Sequence, residues 1–184
     1  CDDSLNRRPM KRIIDPLNEM GADISSENAD NCCPLIIKGS RLHGICYKAQ
    51  AASAQLKSAV LFAALYAEGE TVIEEPFLSR NHTELMFKDF DVNISTEYRV
   101  DPARGESLQE ALHIFGGAGR KEAAVKLVPG SILRADKVMI PGDFSSAAFL
   151  MAAALLIPDS EIVLKNVGIN ETRTGFLSVL KEMG

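Results

Sequence analysis

Ser53, Gln55, Ser79 and Arg80 carry the polar groups of two short blocks, Ser53-Ala54-Gln55-Leu56-Lys57-Ser58 and Ser79-Arg80-Asn81-His82-Thr83-Glu84. Both fall where a strand gives way to a helix. A third block, Pro141-Gly142-Asp143-Phe144-Ser145-Ser146-Ala147-Ala148-Phe149, has the same design. Helix N-termini present N–H groups without partners and the positive end of the helix dipole. Hydroxyl, amide and guanidinium groups gathered there suit a phosphorylated, hydroxyl-rich small molecule. Arg7, Arg8, Lys11 and Arg12 surround Pro9 at another helix start. Cations at an N-terminus oppose the dipole unless something negative is bound, which favours an anion-binding role for Arg8.

Each of these residues also has a plainer use. Serine and aspartate are favoured N-caps, which accounts for Ser53 and Asp143 without a ligand. Lys57 lies in an apolar helix and can snorkel its ammonium to water. Arg80 can pair with Glu84 four residues on. His82 reads as structural, and Ser145 and Ser146 as an echo of the first block.

Composition narrows the classes. At 184 residues and 46% hydrophobic, the chain can bury a core as one large or two small domains. A formal net charge of −5 argues against bulk binding of nucleic acid. The longest apolar stretch, 144–157, is broken by two serines and too short for a bilayer, so no membrane role is expected. Cys1, Cys32, Cys33 and Cys46 lack Cys-x-x-Cys spacing, and the histidines at 43, 82 and 113 are scattered. No metal site is expected, and the thiols read as those of a reduced, cytoplasmic protein. Cys1 in place of an initiator methionine, and a final helix ending on Gly184, suggest an excerpt of a longer chain.

The elements that must position the blocks follow from pattern. Pro9 suits a first helical position, Met10, Ile13, Ile14 and Leu17 share a helical face, and Gly21 ends the helix. Pro16 should kink or shorten it. Strands are expected at 34–38 and 45–47, on either side of a turn near Gly39 and Gly44. A buried helix over 53–67, capped by Gly69, leads to a strand at 71–73. A helix from about Asn81 leads to a strand at 92–94. Signal is poorest over 97–126, with a short helix at 106–113 and a Gly-rich loop at 116–119 that lacks the context of a phosphate loop. A strand at 137–140, a helix at 144–157, a strand at 161–164 and a helix from Thr174 to Met183 complete the set.

These elements repeat. Glu70-Thr71-Val72-Ile73 matches Glu161-Ile162-Val163-Leu164 at an offset of 91, which also superposes Ala63-Ala64-Leu65 on Ala154-Leu155-Leu156 and Thr83 on Thr174. The first helix and its Met20-Gly21-Ala22 ending resemble half of another copy. About two and a half units of one supersecondary design, alternating helices and strands, predict sheets covered by helices and an α/β (α+β) class.

Taken together, the blocks resemble the EPSP synthase branch of the enolpyruvate transferase family. The resemblance is carried by Arg7-Arg8-Pro9-Met10, Ser53-Ala54-Gln55-Leu56-Lys57-Ser58-Ala59, Ser79-Arg80-Asn81-His82-Thr83-Glu84, the 141–149 block, and Asn166-Val167-Gly168 with Thr172-Arg173-Thr174-Gly175. It implies βαβαββ units in an inside-out α/β barrel fold, present in part. Residues 1–138 would form most of one domain, the shikimate 3-phosphate side, and 139–184 the incomplete start of the second. It implies cofactor-free transfer of the enolpyruvyl group from phosphoenolpyruvate to the 5-hydroxyl of shikimate 3-phosphate, with release of phosphate, on the route to chorismate and the aromatic amino acids. By that pattern Ser53, Ala54, Gln55 and Arg80 hold shikimate 3-phosphate, Ser79 is a neighbouring polar contact, and Arg8 meets phosphoenolpyruvate.

Departures from the pattern are specific. Cys1 replaces a usual glycine, Asn81 a usual aspartate, and Phe90-Asp91-Val92 the common Phe-Gly-Ala. The family's N-terminal Lys-Ser-Arg, its acid–base aspartate with the nearby Glu and Lys, and its C-terminal arginines have no counterpart, so no catalytic residue is assigned. The expected parent is a monomer, and the fragment alone is expected to be inactive. Two other functions compete. One is the sister transferase acting on UDP-N-acetylglucosamine, and the other is a non-catalytic module that binds a phosphorylated ligand.

Overall fold

The computed structural model describes residues 3–28, 30–99, 122–134 and 137–183. The chain divides into two compact units, one of residues 1–99 with 122–134 and one of residues 100–121 with 135–184. The first unit runs α1 (Asp3–Asn6), α2 (Lys11–Glu19), β1 (Asp23–Ser26), β2 (Leu35–Lys38), β3 (Cys46–Lys48), α3 (Ala54–Ala64), β4 (Thr71–Glu75), α4 (His82–Asp89), β5 (Ile94–Arg99) and β6 (Glu122–Leu127). The described part of the second holds α5 (Phe144–Leu156) and α6 (Gly175–Glu182). Among the described residues no helix is long and apolar enough to cross a membrane.

β1 and β2 form an antiparallel ribbon with Asp23 opposite Lys38. The main sheet has the order β3-β4-β6-β5. β3 and β4 are parallel, as a crossover through α3 requires, and β6 is antiparallel to both of its neighbours. From β3 to β6 the order is therefore βαβαββ, and the expected mixed α/β class is observed.

α3 forms because a run of Leu, Ala, Gln and Lys follows a serine cap without Gly or Pro. It buries Leu56, Val60, Leu61 and Ala64, which join Ile73, Val125, Leu127, Phe87 and Met20 in one core cluster. The helix stops at Ala64, short of the predicted Ala67. Tyr66 and Ala67 donate to carbonyls three residues back, and Gly69 takes a positive φ of 92°.

Other expectations shift in instructive ways. Met10 is the N-cap of α2, so Pro9 stands outside the helix. Pro16 does not end it: the helix runs on to Glu19 with Pro16 buried inside. Proline has no N–H, so a single intrahelical bond is forfeited. The strands flanking Gly39 and Gly44 do not form a hairpin, because β2 pairs with β1 and β3 with β4. No strand forms at 137–140 or 161–164. A strand exists through its partner, and here the pairing falls beyond both segments, in the bridge between Gly142 and Val167. The predicted helix at 106–113 and loop at 116–119 lie outside the described residues.

Candidate functional site

Ser53 turns the chain into α3 from an extended backbone, φ −148° and ψ 104°, and its Oγ accepts from Leu56 N at 3.3 Å. The capping role is thus real. Ala54 and Gln55 follow on the first turn and, with Ser58, Arg80, His82 and Thr83, line an open cavity of about 340 Å³. Two of the blocks therefore meet at one place, α3 supplying one wall and the start of α4 the other. Ser58 Oγ and Thr83 Oγ1 are 2.6 Å apart and join the two helices at the cavity.

Arg12 extends the site from α2. Its Nη2 donates to Gln55 Oε1 at 3.0 Å. Arginine has no acceptor, so the carboxamide must turn its oxygen to Arg12. Its NH₂ group, with two donors, then remains for a ligand's oxygen atoms.

Beneath the cavity lies a cluster without exposed charge. Lys57 Nζ is 2.9 Å from Glu75 Oε2 and 2.6 Å from Glu84 Oε1, and the three side chains are 0%, 0% and 3% exposed. Glu75 Oε2 also accepts from Ser79 N at 3.4 Å. Lys57 does not snorkel. Removing Lys57 from such a buried cluster strands two carboxylates, which typically costs about 3 to 5 kcal/mol. The cluster also bears on the state of Arg80: the buried Glu84 is paired with Lys57, and the alternative Arg80–Glu84 pair does not form. Among the described residues the Arg80 side chain has no hydrogen bond or ion pair, and it is exposed at the cavity.

Arg8 is exposed, and its backbone N–H donates to Leu5 O at 3.1 Å. It does not line the cavity, and neither do Ser53 or Ser79. In the second unit, Asp143 caps α5, accepting from Ser146 N at 2.8 Å and Ser146 Oγ at 3.0 Å. The backbone N–H and then the hydroxyl of Ser146 hold the Asp143 carboxyl below its usual range, with smaller help from Ser145 N–H and Arg173. Arg173 donates to Ser145 Oγ. The serines of the third block are thus occupied within the unit.

Sequence reasoning missed Glu75 and assigned no binding role to Arg12, Ser58, His82 or Thr83. One signal for Glu75 was available: Glu74-Glu75-Pro76 places carboxylates at the end of a strand that otherwise reads as buried.

A family described as EPSP synthase (3-phosphoshikimate 1-carboxyvinyltransferase) matches residues 1–116 and 107–184. The chain is 48% identical over 184 residues to a 3-phosphoshikimate 1-carboxyvinyltransferase of Thermodesulfovibrio yellowstonii, covering all of this chain and 37% of that protein. It is 45% identical over 183 residues to one of Thermoanaerobacter sp. and 43% identical to one of Bacillus subtilis, with the same coverage. It is similar to a solved EPSP synthase from Acinetobacter baumannii, with a TM-score of 0.78 and 40% identity, over 100% of this chain and 36% of that one. The chain spans about 37% of the length of the curated relatives it matches.

Proposed function

The chain belongs to the EPSP synthase family, and we propose that it forms the shikimate 3-phosphate wall of a cytoplasmic enolpyruvyl transferase. The reaction joins the enolpyruvyl group of phosphoenolpyruvate to the 5-hydroxyl of shikimate 3-phosphate and releases phosphate. In this proposal Ser53, Ala54, Gln55 and Arg80 hold shikimate 3-phosphate, Ser79 is a neighbouring polar contact, and Arg8 meets phosphoenolpyruvate. Residues 1–138 are most of one domain, and 139–184 begin the second. Residues outside this chain supply the proton transfers of addition and elimination.

The observation that carries the proposal is a single one. Arg80, left unpaired while Lys57 holds Glu84, lines the same cavity as Gln55, whose carboxamide oxygen is bonded by Arg12 and whose NH₂ donors remain. An unpaired guanidinium beside two amide donors is a receptor for a phosphorylated, hydroxylated ring.

The test exchanges these 184 residues for the matching segment of the Bacillus subtilis relative and follows phosphate release with both substrates. The chimera is expected to turn over. Arg80→Ala in it should weaken shikimate 3-phosphate binding by roughly 2 to 4 kcal/mol, as for truncating one side of a charged pair. An Arg80→Ala chimera with unchanged affinity would remove Arg80 from the site and overturn the proposal.

A further inference from the structure

Lys57 holds two structures at once. Its backbone N–H donates to Ser53 O at 3.0 Å, within the turn that carries Ala54 and Gln55. Its ammonium reaches Glu75, the last residue of β4, and Glu84, in the first turn of α4. Glu75 and Glu84 are the two ends of the segment that carries Ser79 and Arg80. The Glu75 oxygen that meets Lys57 also takes the Ser79 N–H, from inside that segment.

We infer that Lys57 is the positioning residue of this site: one buried ammonium, through Glu75 and Glu84, fixes the Arg80 loop against the Ser53–Gln55 turn. Stability alone does not account for such a cluster. A buried ion triad is commonly no more stable than apolar side chains of the same volume. α3 is otherwise apolar where it meets the core, and a methionine would fill the Lys57 position. What an apolar replacement lacks is direction. Two charge-assisted contacts from one nitrogen define where both ends of the loop sit, and packing alone leaves them free to slide.

The loop half of this inference stands on geometry, whereas the ligand half rests on the function proposed above. The experiment keeps them apart. Lys57→Met/Glu75→Leu/Glu84→Leu in the full-length chimera described above removes the cluster without stranding a charge. Amide hydrogen exchange is read at Ser79 and Arg80 and, as a control on folding, at Ile73 and Val125. Shikimate 3-phosphate affinity is measured in parallel.

Ser79 and Arg80 are expected to exchange about tenfold faster while the sheet keeps its protection. The affinity is expected to fall about tenfold. Glu84→Gln, which keeps a polar oxygen within reach of Lys57, should stay within about twofold of wild type in both measurements. If the triple variant does not fold, Glu84→Leu alone decides, because it leaves Lys57 and Glu75 as a neutral pair and frees only the α4 end. Wild-type exchange at Ser79 and Arg80 in a folded variant overturns the inference. A chimera without these three substitutions that ignores shikimate 3-phosphate counts against the proposed function, and the exchange comparison still decides the role of Lys57.

Discussion

Arg12 on α2 donates to Gln55 Oε1 at 3.0 Å, across 43 positions of sequence. The bond orients a carboxamide that otherwise rotates freely, and it does so from an exposed position. Its worth to the fold is therefore small. Arg12→Ala should change stability by no more than about 0.5 kcal/mol, as for ordinary surface positions. Shikimate 3-phosphate affinity should drop by about 0.5 to 1.5 kcal/mol, the usual net worth of one hydrogen bond. Calorimetric titration of the chimera checks this, and an unchanged affinity would mean that Gln55 is not held for the ligand by Arg12.

Gly44 lies against Gly69 and Glu70, the residues that lead into the strand ending on Glu75. Its N–H donates to Glu68 O at 2.9 Å, and a Cβ there would stand 2.0 Å from Glu70 O and 2.6 Å from Glu70 C. Both obstacles are backbone and cannot rotate away. Gly44→Ala should cost about 1 to 3 kcal/mol or more in urea unfolding, as overpacking does. At Gly39 an added Cβ meets nothing within 4 Å, so Gly39→Ala should fall within about 0.5 kcal/mol of wild type. Equal midpoints for the two variants would refute the close approach at Gly44.

Much of this arrangement was legible in the sequence, for a physical reason. Ser53, Gln55 and Arg80 sit at helix starts, and helix starts are encoded locally by caps and apolar periodicity. β6 was not legible. Glu122-Ala123-Ala124-Val125-Lys126-Leu127 contains two alanines, which are poor strand formers in isolation. It becomes a central strand because β4 and β5 pair with it on both sides. β1 was hidden in the same way, since Asp23-Ile24-Ser25-Ser26 has a single apolar residue and gains its state from β2.

The state of Arg80 was likewise beyond local pattern. The i, i+4 rule brings Glu84 to Arg80, and nothing in that window reveals a competing lysine 27 residues earlier. Lys57 wins because Glu84 is itself buried, and a buried carboxylate without a buried cation is far more costly than an exposed, solvated arginine. The fold decided this pair. The sequence offered both partners.

Asp143 supplies a pH test in the second unit. Its folded value lies below the ordinary 3.8, chiefly because Ser146 N–H bonds the ionised carboxylate. A depressed carboxyl contributes its stabilisation fully above the unfolded value and loses it as pH falls through the folded one. α5 amide protection should therefore decline as pH is lowered below about 3.8. Asp143→Asn keeps a capping oxygen without a titrating group, so its decline at Ser146 should vanish. Parallel profiles for the two proteins would show that the Asp143 cap does not hold α5.

The ends of α2 and α4 pose the same backbone problem and answer it with different residues. Ala22 N donates to Leu17 O and Gly21 N to Asn18 O; Val92 N donates to Phe87 O and Asp91 N to Lys88 O. Both are Schellman endings, with Gly21 and Asp91 in the position that needs a positive φ. Asp91 sits at 59°, the left-handed basin that aspartate can enter. Gly21 sits at 96°, and a Cβ there would stand 3.0 Å from Arg41 O and 3.1 Å from His43 Nδ1. The two sites should not be interchangeable. Asp91→Gly relieves strain but loosens the unfolded chain, leaving a net gain of between about 0 and 1 kcal/mol. Gly21→Asp adds both strain and a clash and should cost about 1 to 3 kcal/mol, placing its urea midpoint well below that of Asp91→Gly. A Gly21→Asp protein as stable as wild type would show that the ending of α2 does not require its glycine.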